Sequence, residues 1–217
     1  MVENTLYNYA LSASDKVFLL SETGIKHCFT EMDMEYKAAL MSSEDILRAL
    51  KRISHQIIEK NRGLDKVCLV GIKTRGVPLA RRLAAIIGDI EGTVPPVGEL
   101  DITLYRDDLS RISETPKLKG SSIDFSIEEM TVVLVDDVIY TARTARAALE
   151  AVMKLGRPAK VQLCALVDRG HTELPIRPNF VGKNIPTSTD EVVAVRLRET
   201  DDSEGVYIFD KSDIISG

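Results

Sequence analysis

The chain of 217 residues has no tryptophan, three cysteines, three histidines and no surplus of positive charge. Each shortage closes a class of function. Cys28, Cys68 and Cys164 lie far apart, with no CxxC and no Cys/His cluster, so a structural zinc site is not indicated. Cys68 and Cys164 fall in apolar, strand-like runs and read as buried free thiols. No apolar run approaches the ~20 residues of a membrane helix, and the longest near the start is Val17 to Leu20. The start also lacks the basic and apolar segments of a secretory signal, so the expectation is a cytoplasmic protein with no membrane contact. A net charge of -5 excludes a surface coated with cations for bulk nucleic-acid binding, yet leaves room for a local basic face. There is no Gly-Lys-[Ser/Thr] loop and no GxGxxG, which disfavours triphosphate hydrolysis by a Walker A loop.

What is present describes one well-buried core. Hydrophobic residues make up 44% and charged residues 28%, and the length is too short for two ordinary domains. Residues 1–40 show no sustained period and read as an N-terminal extension, either loosely ordered or a product of start-codon choice, ahead of a domain spanning 41–217. From Ser42 the pattern turns helical. Ser42 and Ser43 suit a cap, Glu44 and Asp45 suit the positive end, and Ile46, Leu50, Ile53 and Ile57 mark one face of a helix to about Asn61, ended by Gly63. The opposite face carries Arg48, Lys51, Arg52 and His55, with no acid expected between them.

Beyond it strands and helices alternate. Val67–Ile72, Glu99–Tyr105, Thr131–Val138 and Val161–Val167 read as strands, and Gly76–Ile87 and Arg143–Leu155 as helices. Aliphatic strands separated by helices predict an α/β fold with an open, mainly parallel sheet covered on both faces. Residues 106–129 form a long polar connection suited to a mobile hood. After Arg169, prolines at 175, 178 and 186 and two apolar runs, Val192–Leu197 and Val206–Phe209, predict a small antiparallel cap.

The stretch Val132-Val133-Leu134-Val135-Asp136-Asp137 drives an aliphatic strand into two adjacent carboxylates, and Thr141 to Thr144 then turn the chain into a helix. In an open parallel sheet, ligands sit at the carboxyl ends of strands, where helix N-termini offer backbone donors. The loop can cup a phosphate with its N–H groups, the Thr141 and Thr144 hydroxyls and Arg143. The carboxylates suit the vicinal hydroxyls of a ribose or a divalent cation. A phosphorylated sugar satisfies both halves.

VVLVDDVIYTART resembles the phosphoribosyl-pyrophosphate signature of type I phosphoribosyltransferases. Together with LVGIKTRGVPLARRLA (Leu69 to Ala84), LDITLYRDDLS (Leu100 to Ser110) and LVDRGHTELPIRPNFVGKNIPTS (Leu166 to Ser188), it is similar to the PyrR family, regulators of pyrimidine-operon attenuation that also act as uracil phosphoribosyltransferases. The resemblance runs from about Ser42 to the C-terminus. It implies that Thr74 and Arg75 hold the pyrophosphate. It further implies that Asp136 and Asp137 hold the ribose hydroxyls, and that the run from Asp137 through Val138, Ile139, Tyr140, Thr141, Ala142 and Arg143 to Thr144 wraps the 5′-phosphate. Arg106 would act from the hood, and Arg169 with the backbone near Val193 would meet the base. Mg2+ would be held mainly through the substrate, near Asp136 and Asp137. His171 reads as a structural donor rather than an acid or base.

The same resemblance implies RNA binding through Arg48, Lys51, Arg52 and His55, joined by Arg143 or Arg146, to the leader messenger RNA of a pyrimidine operon in response to UMP or UTP. It implies a homodimer or larger homo-oligomer. A nucleotide sensor with little catalysis, or a transferase for a purine base or orotate, would keep the same fold and sugar site. The family loop has glycine between Thr and Arg where this chain has Ala142; a left-handed backbone there would cost alanine roughly 1–2 kcal/mol. Falling wholly on the bound state, that is about a tenfold to thirtyfold loss of phosphate affinity.

Overall fold

In the computed structural model, residues 36–103 and 121–212 are described in full, and ahead of them the backbone of two strands, Val17–Leu20 (β1) and Lys26–Phe29 (β2), which pair antiparallel. The next strand, Ala38–Met41 (β3), leads into helix α1, Ser43–Asn61. Ser42 caps α1 through a reciprocal box: its hydroxyl accepts from the Asp45 N–H at 3.2 Å, and its own N–H donates to the Asp45 carboxylate at 3.0 Å. These hydrogen bonds, with Arg48 beside it, hold the Asp45 carboxyl well below the ordinary range. Arg62 closes the helix in a left-handed conformation, φ 56°, one residue before the expected Gly63.

Five strands form the central parallel sheet in the order β5-β4-β6-β7-β8, with β4 Val67–Ile72, β5 Val97–Leu100, β6 Thr131–Ile139, β7 Lys160–Asp168 and β8 Phe180–Asn184. Helix α2, Gly76–Glu91, follows β4, and α3, Arg143–Leu155, follows β6. Every residue of β4 is buried, which is why it reads as a continuous aliphatic run rather than an alternation. The two faces are separate cores. Ile46, Ile53 and Ile57 of α1 and Leu79, Leu83 and Ile87 of α2 pack on one side, whereas Ala148, Ala151 and Val152 of α3 pack on the other with Leu134 and Leu100. Cys68 and Cys164 are buried free thiols, both pushed up to about 12 by that burial.

The cap is a three-stranded antiparallel sheet, β3-β10-β9, with β9 Glu191–Arg196 and β10 Gly205–Asp210. β3 begins at Ala38, within the stretch read as an extension through residue 40. Two elements differ from the sequence reading. The strand expected at 99–105 lies at Val97–Leu100, paired Leu69 to Val97, and ends because the Asp101 carboxylate takes both the N–H and the hydroxyl of Thr103, at 3.0 and 2.6 Å. β8 appears in the proline-flanked stretch to which the sequence reading assigned no strand; prolines at 178 and 186 bracket an edge strand, the place where a sheet tolerates them.

Candidate functional site

Leaving β4 the chain runs through α2 to β5 on one side, and leaving β6 it runs through α3 to β7 on the other, so adjacent strands β4 and β6 form the switch point of the sheet. Their carboxyl ends open the crevice where an open α/β sheet binds ligands. Three segments of the sequence reading meet there.

The first is the carboxylate pair. Asp136 is 8% exposed and Asp137 half-buried, near the end of β6. The Asp137 N–H donates to Asp136 Oδ1 at 3.0 Å and the Val138 N–H to Asp137 Oδ1 at 2.8 Å, so both side chains lean on their own backbone. Burial, and then the adjacent Asp137 charge, push the Asp136 carboxyl well above its ordinary range. Two carboxylates in one small volume, one reluctant to ionise, make a place for hydroxyl donors.

The second is the turn from β6 into α3. Ile139 and Ala142 are buried, while Val138, Tyr140, Thr141 and Thr144 are half-exposed. Ala142 stands at the helix N-cap with φ 68°, the left-handed conformation, and its methyl is buried against the α3 side of the sheet. Having no side-chain oxygen, it leaves the first turn of α3 without a side-chain cap. Thr141 O accepts from the Glu173 N–H at 3.1 Å, and the exposed Arg143 guanidinium donates to Glu173 from Nε at 3.1 Å and Nη2 at 2.7 Å.

The third is the turn from β4 into α2. The Lys73–Thr74 peptide is cis, and Gly76 opens the helix hard against β6: a Cβ there would stand 2.2 Å from Val135 O. That contact sets Gly76, which directly follows Thr74 and Arg75 in the chain, against Val135 and Asp136. The Arg75 guanidinium, expected on an anion, is paired instead with Asp201 of the β9–β10 turn, Nε to Oδ2 at 3.1 Å and Nη2 to Oδ1 at 2.6 Å.

The residues that the resemblance assigns to the base divide. Arg169 is 6% exposed and built in: Nε donates to Thr187 Oγ1 at 2.9 Å, Nη2 to Glu191 O at 2.5 Å, and the guanidinium lies 4.1 Å from the Tyr140 ring centre. His171 sits edge-on to the same ring at 5.4 Å and bonds the Thr187 carbonyl through Nε2. Arg169 thereby joins the turn from β6 into α3 to the start of β9. The Val193 side chain is core, leaving its backbone for contact; among the described residues β9 pairs with β10 alone. Arg106 lies outside the described residues.

The basic face of α1 is less uniform than the sequence suggested. Arg48 pairs with Asp45 at 2.5 Å, because the capping acid lies three residues before it on the same face. Arg52 donates to the carbonyls of Val181 and Gly182, fastening α1 to β8. Lys51 and His55 are exposed. Arg143 and Arg146 do not join this face: they belong to α3, across the sheet from α1, and Arg146 pairs with Glu150 at 3.5 Å. Sequence reasoning missed Asp201, Thr187 and Glu191, whose partners lie far away in the chain.

Among the described residues no three potential ligands gather to hold a metal, and no helix is long and apolar enough to cross a membrane. The model of the phosphoribosyl transferase domain family matches residues 38–199. The chain is 53% identical over 178 residues to the Bifunctional protein PyrR of Clostridium beijerinckii and 57% identical over 180 residues to that of Bacillus cereus, covering 82% of this chain and 100% of each relative. Solved hypoxanthine phosphoribosyltransferases share the fold: that of Staphylococcus aureus with a TM-score of 0.62 at 22% identity (82% of this chain, 95% of that one), and that of Trypanosoma cruzi with 0.66 at 18% (82% and 98%). The chain belongs to the phosphoribosyl transferase domain family and, within it, to the PyrR proteins.

Proposed function

We propose that the protein transfers the phosphoribosyl group of phosphoribosyl pyrophosphate to uracil, giving UMP and pyrophosphate, and that it binds the leader messenger RNA of a pyrimidine operon under control of uridine nucleotides. The observation that carries the enzymatic half is the meeting of Asp136, Asp137, the loop from Val138 to Thr144 and the turn Thr74–Arg75 at one switch point. Relatives at this identity that carry the name "bifunctional" support both halves.

In this reading the α3 turn wraps the 5′-phosphate and the carboxylates orient the ribose hydroxyls, which donate to them. The α2 turn takes the departing pyrophosphate, whose growing negative charge suits a helix N-terminus. The edge of β9 presents backbone N–H and C=O groups to the base. Arg106, on the segment that follows β5, closes the site and excludes water from a sugar cation that water would otherwise trap. Asp136 and Asp137, too few for a metal cage of their own, would help hold a Mg2+ ion brought in with the substrate, which would supply charge neutralisation to the leaving group.

RNA would meet the exposed Lys51 and His55 of α1, with Arg48 alongside and Arg52 framing the surface. The protein works in the cytoplasm as a homo-oligomer; exposed Leu149 and Met153 on α3 fit a face between copies.

The test is UMP formation from uracil and phosphoribosyl pyrophosphate with Mg2+, hypoxanthine and orotate serving as control acceptors, and RNA retention measured with and without UMP. Turnover confined to uracil and UMP-dependent retention are expected. Turnover with hypoxanthine or orotate would overturn the acceptor, and UMP binding without turnover would leave a sensor that regulates RNA.

A further inference from the structure

Arg75 is separated from its carboxylate partner by most of the domain, and the pair is well buried: the side chains of Arg75 and Asp201 are 11% and 8% exposed. Asp201 is held independently of the arginine. Its Oδ2 also accepts from the Leu197 N–H at 2.9 Å and from the Thr200 hydroxyl at 2.7 Å. These donors, with the guanidinium, hold its carboxyl below the ordinary range in spite of burial. Two turns further along α2, Arg82 grips the same β9–β10 turn, donating to Glu199 at 2.6 and 2.7 Å and to Glu204. One stripe of α2 is thereby fastened to the cap at two points, the first of them at the N-cap residue itself.

We propose that Asp201 is a positioning residue for the pyrophosphate end of the site. By fixing the Arg75 guanidinium it fixes the backbone of Thr74 to Gly76, so that main-chain groups at the α2 N-terminus, and not the guanidinium, receive the anion. A pyrophosphate that captured the guanidinium would strip a buried carboxylate of its cation, and burial makes that exchange unfavourable. The tie also joins the base side of the site to its leaving-group side, because the β9–β10 turn continues the strand whose edge faces the base. This inference rests on the phosphoribosyl-transfer reading.

The experiment compares the full-length wild type with Asp201→Asn, Arg75→Lys and the double variant. Asparagine keeps an oxygen for Leu197 and Thr200 and loses the charge; lysine keeps the charge and loses the two-pronged geometry. Pyrophosphate binding is measured directly by calorimetry, alongside UMP binding and the KM for each substrate. Asp201→Asn is expected to weaken pyrophosphate and to raise the KM for phosphoribosyl pyrophosphate by about tenfold, roughly 1.4 kcal/mol, with UMP affinity and the uracil KM within about twofold of wild type. The double variant is expected to be no worse than the weaker single one. Unchanged pyrophosphate affinity, or an equal loss for UMP and pyrophosphate, would overturn the proposal. If Asp201→Asn does not fold, Arg75→Lys decides by the same criterion. A wild type that binds pyrophosphate but neither binds nor makes UMP would sink the parent reading, while the effect of Asp201→Asn on pyrophosphate would still judge this one.

Discussion

The turns from β4 into α2 and from β6 into α3 stand side by side at the same topological position and are held in place by different forces. At the first, glycine removes a side chain so that helix can touch strand, and a buried ion pair to a distant turn fixes the cap residue. At the second, a side chain is retained where glycine would be easier, and the left-handed Ala142 is held by packing its methyl into the core. Its polar neighbours there, Arg143 and Glu173, pair at the surface, where such a bridge contributes little. The first turn is therefore rigid through charge and close contact, the second through apolar burial. Changes at Gly76 and Ala142 should therefore differ sharply in size.

The largest effect is expected from Gly76→Ala. Its Cβ would meet the backbone of Val135, which cannot step aside as a flexible side chain could, so α2 must lift from β6. A destabilisation of about 3 kcal/mol is expected. In a chain of this size that lowers Tm by roughly 6–12 °C, read by thermal denaturation. A variant that melts with the wild type would show that the two turns are not in the contact described.

Next is Asp136→Asn, which tests the pair between the turns. As pH rises past ~3.9 the unfolded chain releases this proton, whereas the folded protein keeps it until its own raised pKa is reached. Wild-type stability from this group is thus present below ~3.9 and lost between there and the higher folded value. Asparagine does not ionise and can still accept from the Asp137 N–H. Turnover should vanish while Tm at pH 7 rises above wild type, and the gap between the two melting curves should widen from pH 4 to pH 7. A gap that stays constant across that range would show that Asp136 does not resist ionisation.

The smallest effect is expected from Ala142→Gly. Relief of the left-handed strain contributes ~1–2 kcal/mol, against which stand the buried methyl at ~0.8 kcal/mol and the extra backbone freedom of glycine at ~0.5–1 kcal/mol. Stability should stay within about 1 kcal/mol of wild type, and phosphate affinity within about threefold. A tenfold gain in affinity would show that the cost of alanine falls on the bound loop and not on the fold.

Most of the sheet was legible in the sequence because fully buried parallel strands need continuous apolar runs, and Val67–Ile72 and Val132–Val135 have them. β8 was hidden because an edge strand between prolines carries a weak version of that signal. The cap of α1 was legible in Ser42 and Asp45, yet the same acid's grip on Arg48 was overlooked when the helix face was read as wholly basic. The left-handed turn at 142 could be foreseen only as a condition attached to an alanine, since φ is set by how α3 must leave β6. Nothing in the sequence pointed from Arg75 to Asp201, because ion pairs across 126 residues follow from how two sheets pack and leave no local pattern.

By itself the sequence determined the alternation of strands and helices, the carboxylates at the end of β6 and the hydroxyl-rich turn after them. These follow from local rules: periodicity, capping, and the cost of burying charge at a strand end. Only the tertiary structure decided that α1 and α3 lie on opposite faces, so that Arg146 cannot extend the α1 surface. It likewise decided that Arg169 bonds Thr187 and Glu191, and that the guanidinium of Arg75 pairs with Asp201. Those outcomes depend on which charged groups are buried together, and a buried charge takes whichever partner the packing of distant segments brings to it.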